Sequence, residues 1–255
     1  DRATVDPSQL RLDAQAIVYS LASVDKLKMQ FTHIDYEHGE NFADIVVGLF
    51  DKTSSEFKTT FSWNNLAGWQ SDLGFQFSNQ HLELCHDHGG CPGIADFSDE
   101  NWDGTEGAAL SDKIVDGYKL AHDAPMPLTD TQDLGVFWIM QRDWARGLLE
   151  LGARYDQRTI ETDPVSIDPI YRQAADYYDD KTFNSSSISA ALTWRFEKQK
   201  LGVSVSRSQR APSADELYWN GDHHATFSFQ LDNADLDVET AHSLDVTWTY
   251  DESDY

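Results

Sequence analysis

Three groups of residues in this chain have the chemistry to hold a borderline metal ion. The densest is Cys85-His86-Asp87-His88-Gly89-Gly90-Cys91. Two cysteines in an oxidising, cell-surface loop normally pair as a disulfide, and the five residues between them, two of them Gly, permit a small closed ring. If reduced, the same segment offers Cys85, His86, His88 and Cys91 as a low-affinity capture site, although zinc fingers have better-defined spacings. The second group is His38 and Glu40, which are two apart and so share one face of a strand, with Asp35 on the other. The third is His223 and His224, whose side chains diverge in an extended segment, so that one ion does not take both. Neutral imidazole beside carboxylate or thiolate suits zinc and its neighbours. The competing readings are ordinary: a surface histidine, a solvated strand end, a structural disulfide.

Such residues need a frame, and the frame is legible as a period of two. Leu149, Leu151, Ala153 and Tyr155 alternate with Glu150, Gly152, Arg154 and Asp156. Ile188, Ala190, Leu192, Trp194 and Phe196 alternate with Ser189, Ala191, Thr193 and Arg195. Leu201, Val203 and Val205 alternate with Gly202, Ser204 and Ser206, and Leu244, Val246, Trp248 and Tyr250 with Ser243, Asp245, Thr247 and Thr249. Leu73, Phe75 and Phe77 do the same with Gly74, Gln76 and Ser78. Each set occupies one face of a sheet. Nine strands are predicted, at roughly 9–20, 26–38, 55–64, 69–80, 131–143, 146–159, 182–196, 200–211 and 239–250.

Tight turns near Ser20–Asp25, Asn65–Gly68, Arg142–Ala145 and Glu197–Lys200 alternate with long connections at 39–54, 81–130, 160–181 and 212–238. The long connections therefore share one side. Segments of about ten residues suit a tilted membrane-crossing strand, and charge on the polar faces suits a wet or plugged lumen. The expected fold is all-β, an antiparallel transmembrane β-barrel with its long loops outside the cell. Trp138, Trp144 and Trp194 fit an aromatic girdle at the short-turn ends. Arg207 and Arg210, three apart, cannot both face the lumen, and Pro212 ends the ladder of its strand. A soluble antiparallel sandwich alternates in the same way and is the structural alternative.

Composition narrows the function. With 44 acidic against 19 basic residues, the formal net charge is -25. That argues against nucleic acid, whose phosphates need Lys and Arg. Residues 81–130 alone hold eleven Asp and Glu against two Lys, which reads either as a solvated surface or as an entrance that concentrates cations. Eight of the nine His (all but His242) lie in or beside the long-loop side. No apolar run reaches the length of a transmembrane helix, and no secretory leader is visible. Neither G-x-S-x-G, H-E-x-x-H nor a Gly-rich phosphate loop occurs, so no enzyme is expected.

The segment Ser204–Tyr250 carries a specific pattern: Ser206, Arg207, Arg210, Ala211, Pro212, Glu216, Leu217, Tyr218, then Asn233, Leu236, Glu239 and Thr240. It resembles the S-R-x-x-R-A-P-x-x-x-E-L-Y and N-x-x-L-x-x-E-T motif of TonB-dependent outer-membrane receptors. Weaker echoes at 66–69, 149–155 and 178–183 extend the resemblance over nearly the whole chain. Within that family it is most similar to the zinc-uptake receptors, through Tyr36, His38 and Glu40, through Gly221, Asp222 and His223, and through Ala225, Thr226 and Phe229. The resemblance implies a 22-stranded barrel plugged by an N-terminal domain, lodged in outer-membrane lipid of a Gram-negative cell and energised by the TonB complex. Residues 1–255 would then be a partial barrel domain, without plug, TonB box or final strands, as the odd strand count also suggests. The resemblance implies no tightly bound cofactor, with zinc or another divalent metal, free or chelated, as cargo. It makes His223 the leading ligand, joined by His38 and Glu40. A siderophore or haem receptor, and a surface adhesion barrel that transports nothing, are the alternatives.

Overall fold

A computed structural model describes residues 3–42, 45–86, 114–115, 118–119, 125–164, 173–223 and 228–250. The predicted dyads become strands β1 (Ala3–Leu21), β2 (Val24–Phe42), β3 (Ile45–Leu66) and β4 (Trp69–His86). After the short β5 (Ile114–Val115) and β6 (Tyr118–Lys119) come β7 (Leu128–Trp144), β8 (Gly147–Asp163), β9 (Lys181–Arg195) and β10 (Gln199–Arg210). The chain continues through helix α1 (Ala214–Tyr218), β11 (Gly221–His223), β12 (Ser228–Gln230) and β13 (Glu239–Tyr250). Nine of these strands form one antiparallel sheet in the order β1-β2-β3-β4-β7-β8-β9-β10-β13. Among the described residues, β1 and β13 are its unpaired edges.

The tight turns fall where they were predicted. Ala67 and Gly68 both have positive φ, 54° and 86°, the backbone twist that closes a two-residue hairpin. Asn65 Oδ1 accepts a hydrogen bond from the Gly68 amide at 2.9 Å.

The long side differs from expectation most at residues 39–54. These are not a loop: β2 runs to Phe42 and β3 starts at Ile45, in register from His38↔Phe50 through Phe42↔Ile45 with an irregularity between Glu40 and Asn41. Backbone pairing holds these strands together although their outward positions, with Glu37 opposite Asp51 and Gly39 opposite Leu49, carry no regular apolar dyad. Beyond that hairpin, β4 extends the ladder to His86, and β7 begins at Leu128.

The predicted outward face is bare and apolar. Val203 and Val205 are exposed, as are Trp194, Val246 and Trp248. Phe31, Phe57, Phe77 and Leu134 sit opposite one another on four successive strands and are all exposed. In water such a patch is a liability; against hydrocarbon it is the expected surface. Trp144 and Trp194 meet edge-to-face at 6.4 Å near the short-turn end, whereas Trp138 lies deeper in β7, its indole donating to Ser71 Oγ at 2.7 Å.

The opposite face is polar and internally paired. Arg158 binds Asp133 at 2.7 Å, Arg154 binds Asp156 at 2.5 Å, and Arg154 also donates to Gln76, which donates in turn to Glu56. The Phe137 ring lies over Gly74, where an added Cβ would overlap it, so this close approach favours glycine. Lys58 and Arg154 sit over the same ring at 5.0 and 5.9 Å.

Candidate metal-binding mouth

Towards the long-loop end the apolar pattern changes face. Phe57 points outward but Phe50 inward; Phe77 outward but Leu82 and Leu84 inward; Tyr155 outward but Ile160 inward; Ile188 outward but Phe183 inward. Each pair is separated by an odd number of residues, and an odd step in a strand reverses the face. The inward set packs with Met126, Ala211, Ala214, Leu217, Tyr218, Trp219 and Ala234 into a buried cluster. The segment after β10 is thus a shelf folded into the mouth.

Several contacts fix the shelf. Ser213 and Glu216 form a capping box at the start of α1, which satisfies amides that would otherwise lack partners. Arg210 grips both carboxylate oxygens of Glu216 at 2.8 and 2.9 Å and reaches Glu239 at 3.1 Å. The Arg210 guanidinium, followed by the Ser213 amide, holds the Glu216 carboxyl well below its usual range, down to about 2. The Asn220 amide donates to Pro125 O at 2.6 Å, and the Tyr218 hydroxyl to Asp179 O at 3.1 Å. Burial pushes the Tyr218 hydroxyl upward, with Asp180 and Asp179 adding to it.

One buried pair lacks such support. The Tyr177 hydroxyl and Asp232 carboxylate face each other, but their oxygens are shielded from solvent without a hydrogen bond of good geometry among the described residues. Burial is the leading cause of the upward shift of both groups.

His38 and Glu40 share one face, as their spacing predicted; that face is the inward one, and Glu40 is only 2% exposed. The His38 ring stacks on Phe50 at 4.3 Å, and Phe50 stacks on Trp219 of the shelf at 5.9 Å. His223 lies four residues beyond Trp219 in β11, opposite Ser228 of β12. The register adds a relation the sequence did not reveal. Glu40 is opposite Gly48, and Gly48 is opposite His86. One row thus carries a carboxylate residue, a residue without a side chain, and a histidine, over about 10 Å at the usual strand spacing.

Other sequence candidates are placed less completely. Cys85 is opposite Leu49 near the end of β4, while Cys91, His88 and His224 lie outside the described residues, so the predicted disulfide does as well. For His86 and His223 the backbone alone is described. Among the described residues no three of His, Cys, Asp and Glu converge as a metal site. His33 and His81 are near the mouth but on the outward face, bonded to Ser55 Oγ and Asp130 Oδ1, each at 2.9 Å.

Residues 5–255 match the family described as TonB dependent receptor-like, beta-barrel. The chain belongs to this family. Its fold is similar to that of the copper transporter OprC, with a TM-score of 0.65 at 11% identity, covering 98% of this chain and 38% of that one. It is also similar to the FrpB iron transporter from Neisseria meningitidis in its F5-1 variant apoprotein form. There the TM-score is 0.62 at 13% identity, covering 97% of this chain and 35% of the other. At such identities the likeness is one of fold, and this chain spans little more than a third of either protein's length.

Members of the TonB-dependent receptor family are outer-membrane β-barrel transporters rather than enzymes. In a barrel of that kind the bare apolar face meets lipid and the paired polar face lines the lumen. The Arg210–Glu216–Glu239 cluster then explains part of the motif read from the sequence: it ties the shelf to the strands on either side of it.

Proposed function

We propose that this chain is one wall of an outer-membrane, TonB-dependent uptake receptor whose cargo is a divalent metal ion, zinc first, free or as a chelate. The observation that carries the reading is the rim row Glu40–Gly48–His86, with His38 on the same inward face as Glu40. A carboxylate and imidazoles are donors that zinc accepts, and a ligand set drawn from neighbouring strands suits a capture site at a barrel mouth. His223 follows Trp219 by four residues, and Trp219 reaches His38 through the Phe50 ring; His224 and His88 are further imidazoles nearby in sequence. The excess of carboxylates in residues 81–130 favours cations and disfavours haem propionates and anionic siderophores. The two unpaired sheet edges support a larger barrel, and a plug domain seated in it would engage TonB.

Zinc titration into the intact receptor tests this. His86→Ala and His38→Ala are each expected to weaken binding by about tenfold or more, and His223→Ala likewise, with the barrel still assembled. Radiolabelled zinc should enter cells only when TonB is functional. Unchanged zinc affinity in all three variants removes the mouth site. Copper or iron bound in preference to zinc keeps the site and changes its cargo.

A further inference from the structure

We propose that the outer wall around Arg207 binds the phosphate of a lipid headgroup, at the upper edge of the lipid-facing belt; this rests on the membrane reading above. The outward positions of β10 run Leu201, Val203, Val205 and then Arg207. Arg207 is directly opposite the exposed Ile188 on one side and His242 on the other. It is the point at which this face turns from apolar to polar. In a chain with 44 acidic and 19 basic residues, an arginine facing no carboxylate is a signal. Its one hydrogen bond among the described residues runs from Nη1 to Ser186 Oγ at 3.3 Å. That bond leaves most of the guanidinium fork open, and the fork matches two phosphate oxygens.

The neighbours fit the same partner. Outward positions beside and just above Arg207 carry His242, Gln209 and Thr240, with Gln209 donating to Thr240 Oγ1 at 3.2 Å. No carboxylate occupies an outward position there among the described residues. Elsewhere on the rim the outer wall carries Glu37, Asp51 and Glu83 on three successive strands in register, which repels an anionic headgroup. The patch is also continuous with the apolar belt, so a lipid whose chains lie along Val203 and Val205 has its headgroup at Arg207. Near a membrane surface an arginine is drawn to anionic lipid, more strongly when the contact is bidentate.

The test uses the intact receptor in detergent, with native mass spectrometry reading retention of a diphosphoryl glycolipid and of its dephosphorylated form. The wild type should retain the phosphorylated lipid selectively, and Arg207→Gln should lose that selectivity about five- to tenfold, with Arg207→Lys in between. Heat-modifiable mobility on gels checks that each variant is assembled. If Arg207→Gln fails to assemble, His242→Gln takes its place and should lose about half of the selectivity. Equal retention of both lipids by the assembled wild type, or by wild type and variants alike, overturns the proposal. Competition by inorganic phosphate at millimolar concentration also overturns it, because the site would then take free anion. A wild type that never partitions into detergent micelles or bilayers contradicts the membrane reading instead, and is distinguishable from these results.

Discussion

Below the level of Arg207 the sheet turns its apolar side chains outward and leaves them bare; above it, the same strands turn apolar side chains inward and bury them. Val203, Val205, Trp194 and Val246 are exposed in the lower wall, while Ile160 and Leu217 of the mouth are fully buried. The lower wall is stable only with hydrocarbon against it. The mouth has water on its outer side and behaves as an ordinary one-sided sheet, which must bury its apolar face against something. The shelf after β10 supplies that cover. The change of apolar face along β3, β4, β8 and β9 therefore marks where the surrounding solvent changes, and the mouth residues are held by a small core of their own.

The largest effect expected from this contrast is in the mouth. Leu217→Ala should destabilise the shelf by about 2–5 kcal/mol, seen as faster amide exchange over 211–220, while the barrel still assembles. Loss of assembly would show that the two regions are not separate. In the lower wall, Val203→Arg should cost about 2–4 kcal/mol in refolding into bilayers, whereas Ser204→Arg, one residue on and facing the lumen, should cost much less. Equal costs would abolish the distinction between the faces.

Two smaller effects depend on pH and have opposite signs. Asp232 has a folded pKa raised by burial, so its contribution to the shelf is fully present below the ordinary carboxylate range and is lost as pH rises through the raised value. Asp232→Asn should therefore slow exchange of the shelf at neutral pH and flatten its dependence on alkalinity. Glu216 is held down to about 2 from an ordinary 4.5. Its contribution is present above about pH 4.5 and lost as pH falls towards 2. Because the pair with Arg210 is partly exposed, Glu216→Gln should cost less than about 1 kcal/mol, and only above that window. Matching pH slopes in the two variants would contradict the assignment.

The lower wall was legible in the sequence because a lipid-facing strand leaves an unbroken period of two, as in Leu201–Ser206 and Leu244–Tyr250. Residues 39–54 were not. Gly39, Glu40, Asn41 and Gly48 have the composition of a loop, and the apolar run Ile45–Phe50 is continuous rather than alternating, so it gives no period of two. With that hairpin hidden, Glu40 and His86 had no common row, since only the register through Gly48 joins them. His38 and Glu40 were legible as a pair because they are two apart on one strand. The shelf was legible as a motif but not as a packed element: Leu217, Tyr218 and Trp219 find their partners on β3, β4, β8 and β9, far away in sequence. The signal that would have revealed it is the odd step between Phe50 and Phe57, repeated between Ile160 and Tyr155.

The most direct test of this two-faced wall is spin labelling of the intact receptor in bilayers, one label at a time from Val203 to Ser206. High oxygen accessibility, marking lipid, is expected at Val203 and Val205, and low values at Ser204 and Ser206. A uniform profile, or one with the alternation reversed, would contradict it.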